Sequence, residues 1–179
     1  MRHVTRRRNR CDGMTLVELC VVILVMGILM MLGTAALLGA RIAGHESNAI
    51  AALRTINKAE IAYAADCGSG HYATTLTLLA KPPRGGVQGY VGEDIGSADT
   101  VTRNGYVVTL RDGADADATG ADCHGTPTST AYYASAAPVE AGSSGNRSFA
   151  TSQAGSVWQV SGGTPPSEPF GSPATLLAQ

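Results

Sequence analysis

Residues 8–22 read "RNRCDGMTLVELCVV", and how that stretch is read decides the fold. From Leu19 to Ala40 the chain runs for 22 residues without Asp, Glu, Lys, Arg or His. As a helix the run measures about 33 Å, enough to cross the apolar part of a bilayer. Glu18 stands at its edge, where a carboxylate is costly unless it stays near water or finds a partner. The residues before it are basic.

The charge of the chain is divided unevenly. Net charge is −1, but residues 1–13 carry five Arg and one Asp, leaving 8 basic and 13 acidic residues beyond them. Arg2, Arg6, Arg7, Arg8 and Arg10 ahead of an apolar run predict that the N-terminus stays in the cytoplasm while the rest is exported. A nucleic-acid arm is the rival reading of "RRRNR", and its shortness and its place beside the apolar run argue against it. Aromatics make up 5% of the chain and Gly 22 residues, so the exported part has a thin core with many turns. In that compartment Cys67 and Cys123 are expected to pair, closing a loop of about 57 residues worth roughly 4 kcal/mol on the chain-entropy account.

Four regions follow: a leader at 1–13, a long helix at 14–66 with a transmembrane part at 19–40, a small head at 67–160 and a turn-rich, flexible tail at 161–179. In the second half of the helix Ile42, Ala49, Leu53, Ile56 and Tyr63 fit one face of a 3.6-residue period, with Arg54, Lys58 and Glu60 off that stripe. A short helical turn is expected at Thr75–Ala80. Strands are expected at Gly105–Arg111, Ala131–Val139, Arg147–Thr151 and Ser156–Val160. The fold class is therefore α+β: a long N-terminal helix, half for membrane or filament and half amphipathic, packed on a small C-terminal antiparallel sheet.

"GMTLVELCVVILVMGIL", Gly13–Leu29, resembles the N-terminus of type IV pilins and of the pseudopilins of type II secretion systems. The resemblance implies cleavage between Gly13 and Met14 by a prepilin peptidase and N-methylation of Met14. It implies a pilin-like fold and an assembly role for Glu18, whose carboxylate would meet the Met14 amine of another copy. Two positions depart from the family pattern. Met14 stands where Phe is usual, and Ala35 where many members have a helix-kinking Pro. The competing reading, a conventional secretory signal cut near Leu38–Ala40, leaves the Gly-Met-Thr-Leu-Val-Glu pattern an accident.

The resulting expectation is a non-enzymatic structural subunit of a type IV pilus or pilus-like filament, polymerised through its N-terminal helix. A type II secretion pseudopilin or minor pilin is the alternative. The implied partners are further copies of the chain, the prepilin peptidase, an inner-membrane assembly platform and minor pilins. The implied location is the inner membrane for the precursor, then an extracellular or periplasm-spanning filament. No cofactor is expected, and the acidic mature chain argues against general nucleic-acid binding. Asp115 and Asp117 open a sequence like a calcium loop, but Thr126 occupies the closing position, so a solvated acidic loop is expected instead. His71 and His124 flank the two exported cysteines, where a metal would compete with the disulfide. No nucleophile-elbow sequence marks a catalytic serine.

Overall fold

The computed structural model describes residues 14–177, with the backbone alone at 32–36. The expected leader, Gly13 included, lies outside the described residues. The chain divides into two compact units, Met1–Gly39 and Ala40–Gln179.

Helix α1 spans Leu16–Asp66 and contributes to both units. It begins behind Thr15, whose hydroxyl accepts a hydrogen bond from the Glu18 N–H at 3.2 Å and so satisfies one of the free donors of the first turn. Glu18 supplies the negative charge that the helix N-terminus favours. The helix stops where Cys67 and Gly68 both turn their N–H groups onto the Tyr63 carbonyl.

One expectation fails here. Among the described residues no helix is long and apolar enough to cross a membrane. The transmembrane half of the expected fold class is therefore corrected. The inner-membrane precursor and the extracellular or periplasm-spanning filament that follows from it fall with that half. So does the role of a type IV pilus subunit or type II secretion pseudopilin built on a membrane-inserted helix.

In the second unit a six-stranded antiparallel sheet follows the helix. Its strands are β1 (Thr100–Arg103), β2 (Tyr106–Asp112), β5 (Tyr132–Pro138), β6 (Arg147–Ser152), β7 (Val157–Ser161) and β8 (Thr175–Leu176), and they lie in that spatial order. Between β2 and β5 a separate hairpin forms from β3 (Ala118–Ala121) and β4 (Pro127–Ser129). Two single-turn helices, α2 (Leu76–Leu79) and α3 (Glu93–Gly96), lie between α1 and the sheet in sequence. The Thr75 hydroxyl caps α2 by accepting from the Leu78 N–H.

The four expected strands coincide with β2, β5, β6 and β7, and β1, β3, β4 and β8 are additional to them. β1 carried a usable signal. Asn104 and Gly105, both at positive φ, form the two-residue turn that joins Arg103 to Tyr106, and "NG" is the residue pair such hairpins favour.

Alternation sets the two faces of the sheet. Tyr132, Ala134 and Ala136 of β5, with Val108, Phe149 and Val157, join Leu53, Ile56 and Tyr63 of α1 in the core. The other face would carry Tyr133 and Trp158 into water, but residues 162–174 cross it as a strap. Phe170 of the strap stacks on both rings, 6.2 Å from Tyr133 and 5.5 Å from Trp158 between centroids. The Tyr133 hydroxyl donates to the Pro166 carbonyl at 2.5 Å.

The disulfide Cys67–Cys123 ties the end of α1 to the β3–β4 hairpin, and the Cys123 N–H donates to the Cys67 carbonyl beside it. A chain with Cys67→Ser and Cys123→Ser is expected to lose about 4 kcal/mol of unfolding free energy by the loop-entropy argument. Urea titration followed by circular dichroism measures this. Reductant should destabilise the native chain by a similar amount and leave the double variant unchanged.

Candidate functional site

Two features of the structure bear on function: the apolar start of α1, and a polar seam where the helix meets the sheet.

At the start of the helix Met14 is exposed just before the first turn, and Glu18 is exposed within it. Around Glu18 the helix surface is apolar and open. Leu16 is 78% exposed, Leu29 63% and Met31 83%, and Val17, Ile23 and Leu24 are similarly open. Cys20 is a free, exposed thiol on this stretch. An open apolar surface of this extent marks an interaction site.

The seam lies inside the second unit, on the inward side of α1. Glu46 comes first. Its Oε1 accepts from the Asn146 N–H at 2.9 Å, and its Oε2 accepts from Arg147 Nε at 2.9 Å and Nη2 at 2.6 Å. Arg147 also donates to Gln159 Oε1 at 2.7 Å. Burial alone would raise the Glu46 pKa, but these hydrogen bonds and the guanidinium charge hold it below the usual carboxylate range. Three turns on, Asn57 Nδ2 donates to Thr151 Oγ1 and the Gly155 carbonyl, and its Oδ1 accepts from the Tyr132 hydroxyl.

Glu60 is the outlier. Expected off the apolar stripe, it is fully buried. Its Oε2 accepts the Ala73 N–H at 2.9 Å, while Oε1 has no hydrogen-bond partner among the described residues. Burial without a cation pushes its pKa up to about 8, with the Ala73 N–H opposing the shift. Burial therefore favours the neutral form of Glu60. A signal for its position was present: Leu53, Ile56, Glu60, Tyr63 and Cys67 follow spacings of three and four and form one continuous stripe.

The seam ends at Tyr63, whose hydroxyl donates to Asp122 Oδ2 at 3.0 Å. Burial, and then the Asp122 carboxylate, push that phenol well above its ordinary value. Burial would raise the Asp122 pKa too, but the N–H groups of Thr126 and His124 and the Tyr63 hydroxyl lower it. Asp122 is thus a loop-fixing residue, set apart from the exposed Asp112, Asp115 and Asp117.

The expected sites can now be placed. Cys67 and Cys123 are bonded to each other. Asp115 and Asp117 are exposed, and among the described residues no third donor joins them. Among the described residues the one trio of possible metal donors is Cys67, Cys123 and His124, and its two sulfurs are already spent in the disulfide. The His124 ring contacts the Pro82 carbonyl at 2.9 Å, and the His45 ring contacts the Ser144 carbonyl at 3.1 Å. Glu46, Tyr63 and Asp122 are closed in by structural partners, so the seam reads as the joint of the fold. No family model matches the chain, and neither a curated protein nor a solved structure does.

The seam makes stability depend on pH in opposite directions. Glu60 is easier to protonate folded than unfolded, so its contribution is full below pH 4.5 and is lost as pH rises through about 8. Glu46 and Asp122 are harder to protonate folded, so theirs is present above the ordinary carboxylate range and lost on acidification. Between those limits unfolding free energy should fall by up to roughly 1.4 kcal/mol per pH unit. Glu60→Gln should flatten that slope whatever it does to absolute stability. Urea unfolding at a series of pH values measures it, and an unchanged slope would show that Glu60 is not the titrating group.

Proposed function

We propose that the chain is a non-catalytic protein that works by association. Its leader is removed between Gly13 and Met14 by a prepilin-type peptidase. The apolar turns at the start of α1 then pack against the same turns of further copies. The observation that supports this reading most is the exposure of Leu16, Val17, Ile23, Leu24 and their neighbours on one short length of helix.

The physical case is simple. Full burial of a side chain of this kind contributes about 1.5–3 kcal/mol, so a few of them outweigh the cost of holding two helices together. Glu18 limits how the helices can meet, because a carboxylate enclosed without a partner is strongly unfavourable. The arrangement that keeps Glu18 in water, or gives it a cation, is selected over sliding alternatives. The head supports the reading in another way: Glu46, Asn57, Tyr63 and Asp122 are engaged with partners inside the fold.

Cys20 provides the test. Once residues 1–13, Cys11 among them, have been removed, mild oxidation should give a disulfide-linked dimer through Cys20 on non-reducing gels. Leu24→Arg with Ile28→Arg should lower that yield about tenfold by placing charge in the contact, with the head still folded by circular dichroism. A chain that remains monomeric with Cys20 unreacted would overturn the association. Intact-mass measurement after exposure to a prepilin peptidase should show loss of residues 1–13, and retention of the leader would overturn the processing.

A further inference from the structure

The second unit carries two recesses of opposite charge. The first, of about 390 Å³, opens beside α1 and is lined by Arg54, Lys58, Ile61, Val157 and Leu177, with Asn57 at its base. No carboxylate lines it. The groove continues along the helix past Ile50, where Arg54 and Lys58 line it again. The second recess, of about 250 Å³, is lined by Asp115, Glu168, Gln153 and Phe170. No Lys or Arg lines it.

Neither charge is satisfied from within the fold. Arg54 and Lys58 are exposed, sit four residues apart on the helix, and have no ion-pair partner among the described residues. Like charges at that spacing oppose each other unless an anion meets them. Their neighbours three and four residues away are Ile50, Ala51, Thr55, Asn57, Ile61 and Ala62, none of them acidic. On the other side Asp115 is exposed with no ion-pair partner among the described residues, and Glu168 accepts a hydrogen bond from the Ala114 N–H at 2.9 Å. Arg111, close by in sequence, is held over the Tyr133 ring, 4.4 Å from its centroid.

We propose that these recesses bind each other between two copies of the chain, with Arg54 and Lys58 of one head meeting Asp115 and Glu168 of the next. The cavity sizes suit the exchange, since a Lys or Arg side chain fits the acidic recess with its stem against Phe170. The positions of the recesses set the symmetry. Val157 faces the core side of the sheet, where α1 lies, whereas Phe170 belongs to the strap on the opposite face. Two complementary patches on opposite faces cannot pair reciprocally in one two-fold dimer. The contact is therefore heterologous, each head presenting a cationic side to the acidic side of its neighbour. It uses no residue of the first unit and does not depend on association through the start of α1.

The test uses the full-length chain as an equal mixture of ¹⁴N- and ¹⁵N-labelled protein, treated with a carbodiimide that joins amines to carboxylates in contact. The expected products are Lys58–Asp115 and Lys58–Glu168 peptides containing one light and one heavy partner. Arg54→Glu should lower the Lys58–Glu168 yield about tenfold, and so should Asp115→Lys. The two substitutions combined should restore it to within about twofold. Cys20 cross-linking should be unchanged by Arg54→Glu, which separates this contact from the helix contact. Single-isotope products alone, mixed-isotope products at other residue pairs, or a yield indifferent to charge reversal would each overturn the proposal.

Discussion

The side-chain amide of Asn57 fixes how α1 lies on the sheet. A buried amide must have its hydrogen bonds met, and those of Asn57 are met by three separate elements: Thr151 on β6, Tyr132 on β5 and the Gly155 carbonyl in the β6–β7 turn. Rotating the helix, or sliding it by one residue, would strand the amide at a cost of several hydrogen bonds at once. Leu53 and Ile56 supply more of the favourable burial, but apolar contact tolerates small displacements and the amide does not. Glu46 with Arg147 and Tyr63 with Asp122 repeat the constraint above and below it. The helix is thereby held at three heights along its length.

Seen this way, the head is stitched together mostly by helix-to-sheet and loop-to-sheet links of long sequence separation. Asn57 reaches residues 132, 151 and 155, Cys67 reaches 123, and Glu46 reaches 146 and 147. Such contacts give a rigid body with a thin core. They also explain how a chain with few aromatics and many glycines holds a defined shape: rings and polar groups are concentrated at the joint, and the loops carry little weight. Tyr72 against Tyr132 and Tyr63 against Tyr90, both edge-on, extend the same concentration.

What the sequence made legible follows from how local each determinant is. The stop of α1 is written in the neighbouring Cys67 and Gly68, and the four longer strands in their β-branched and aromatic alternation. The burial of Glu60 was hidden because composition assigns a carboxylate to solvent, whereas spacing assigns that position to the core. Spacing won, and burial favours the neutral form of the side chain. β8 was beyond reach for a different reason: its two residues become a strand only because β7 offers them an edge. The transmembrane expectation came from counting residues without charge, and among the described residues no helix is long and apolar enough to cross a membrane. The opposed recesses could not be read at all, since each draws residues from at least three elements far apart in sequence.

The strap and β8 have one more consequence, for the order in which the fold closes. β7 is left with an open row of backbone donors and acceptors until Thr175 and Leu176 reach it, and these follow every other element of the head in the chain. Phe170, which covers Trp158 and Tyr133, arrives almost as late. For that interval the nascent head presents a strand edge and a pair of bare rings, the combination most prone to pair with a neighbouring chain. The Pro-rich strap is poorly suited to joining such a ladder itself, because four of its residues lack an N–H. It can cover the sheet without extending it. The last segment thus works as a guard, sealing one head against unspecific pairing before its charged faces are offered to the next.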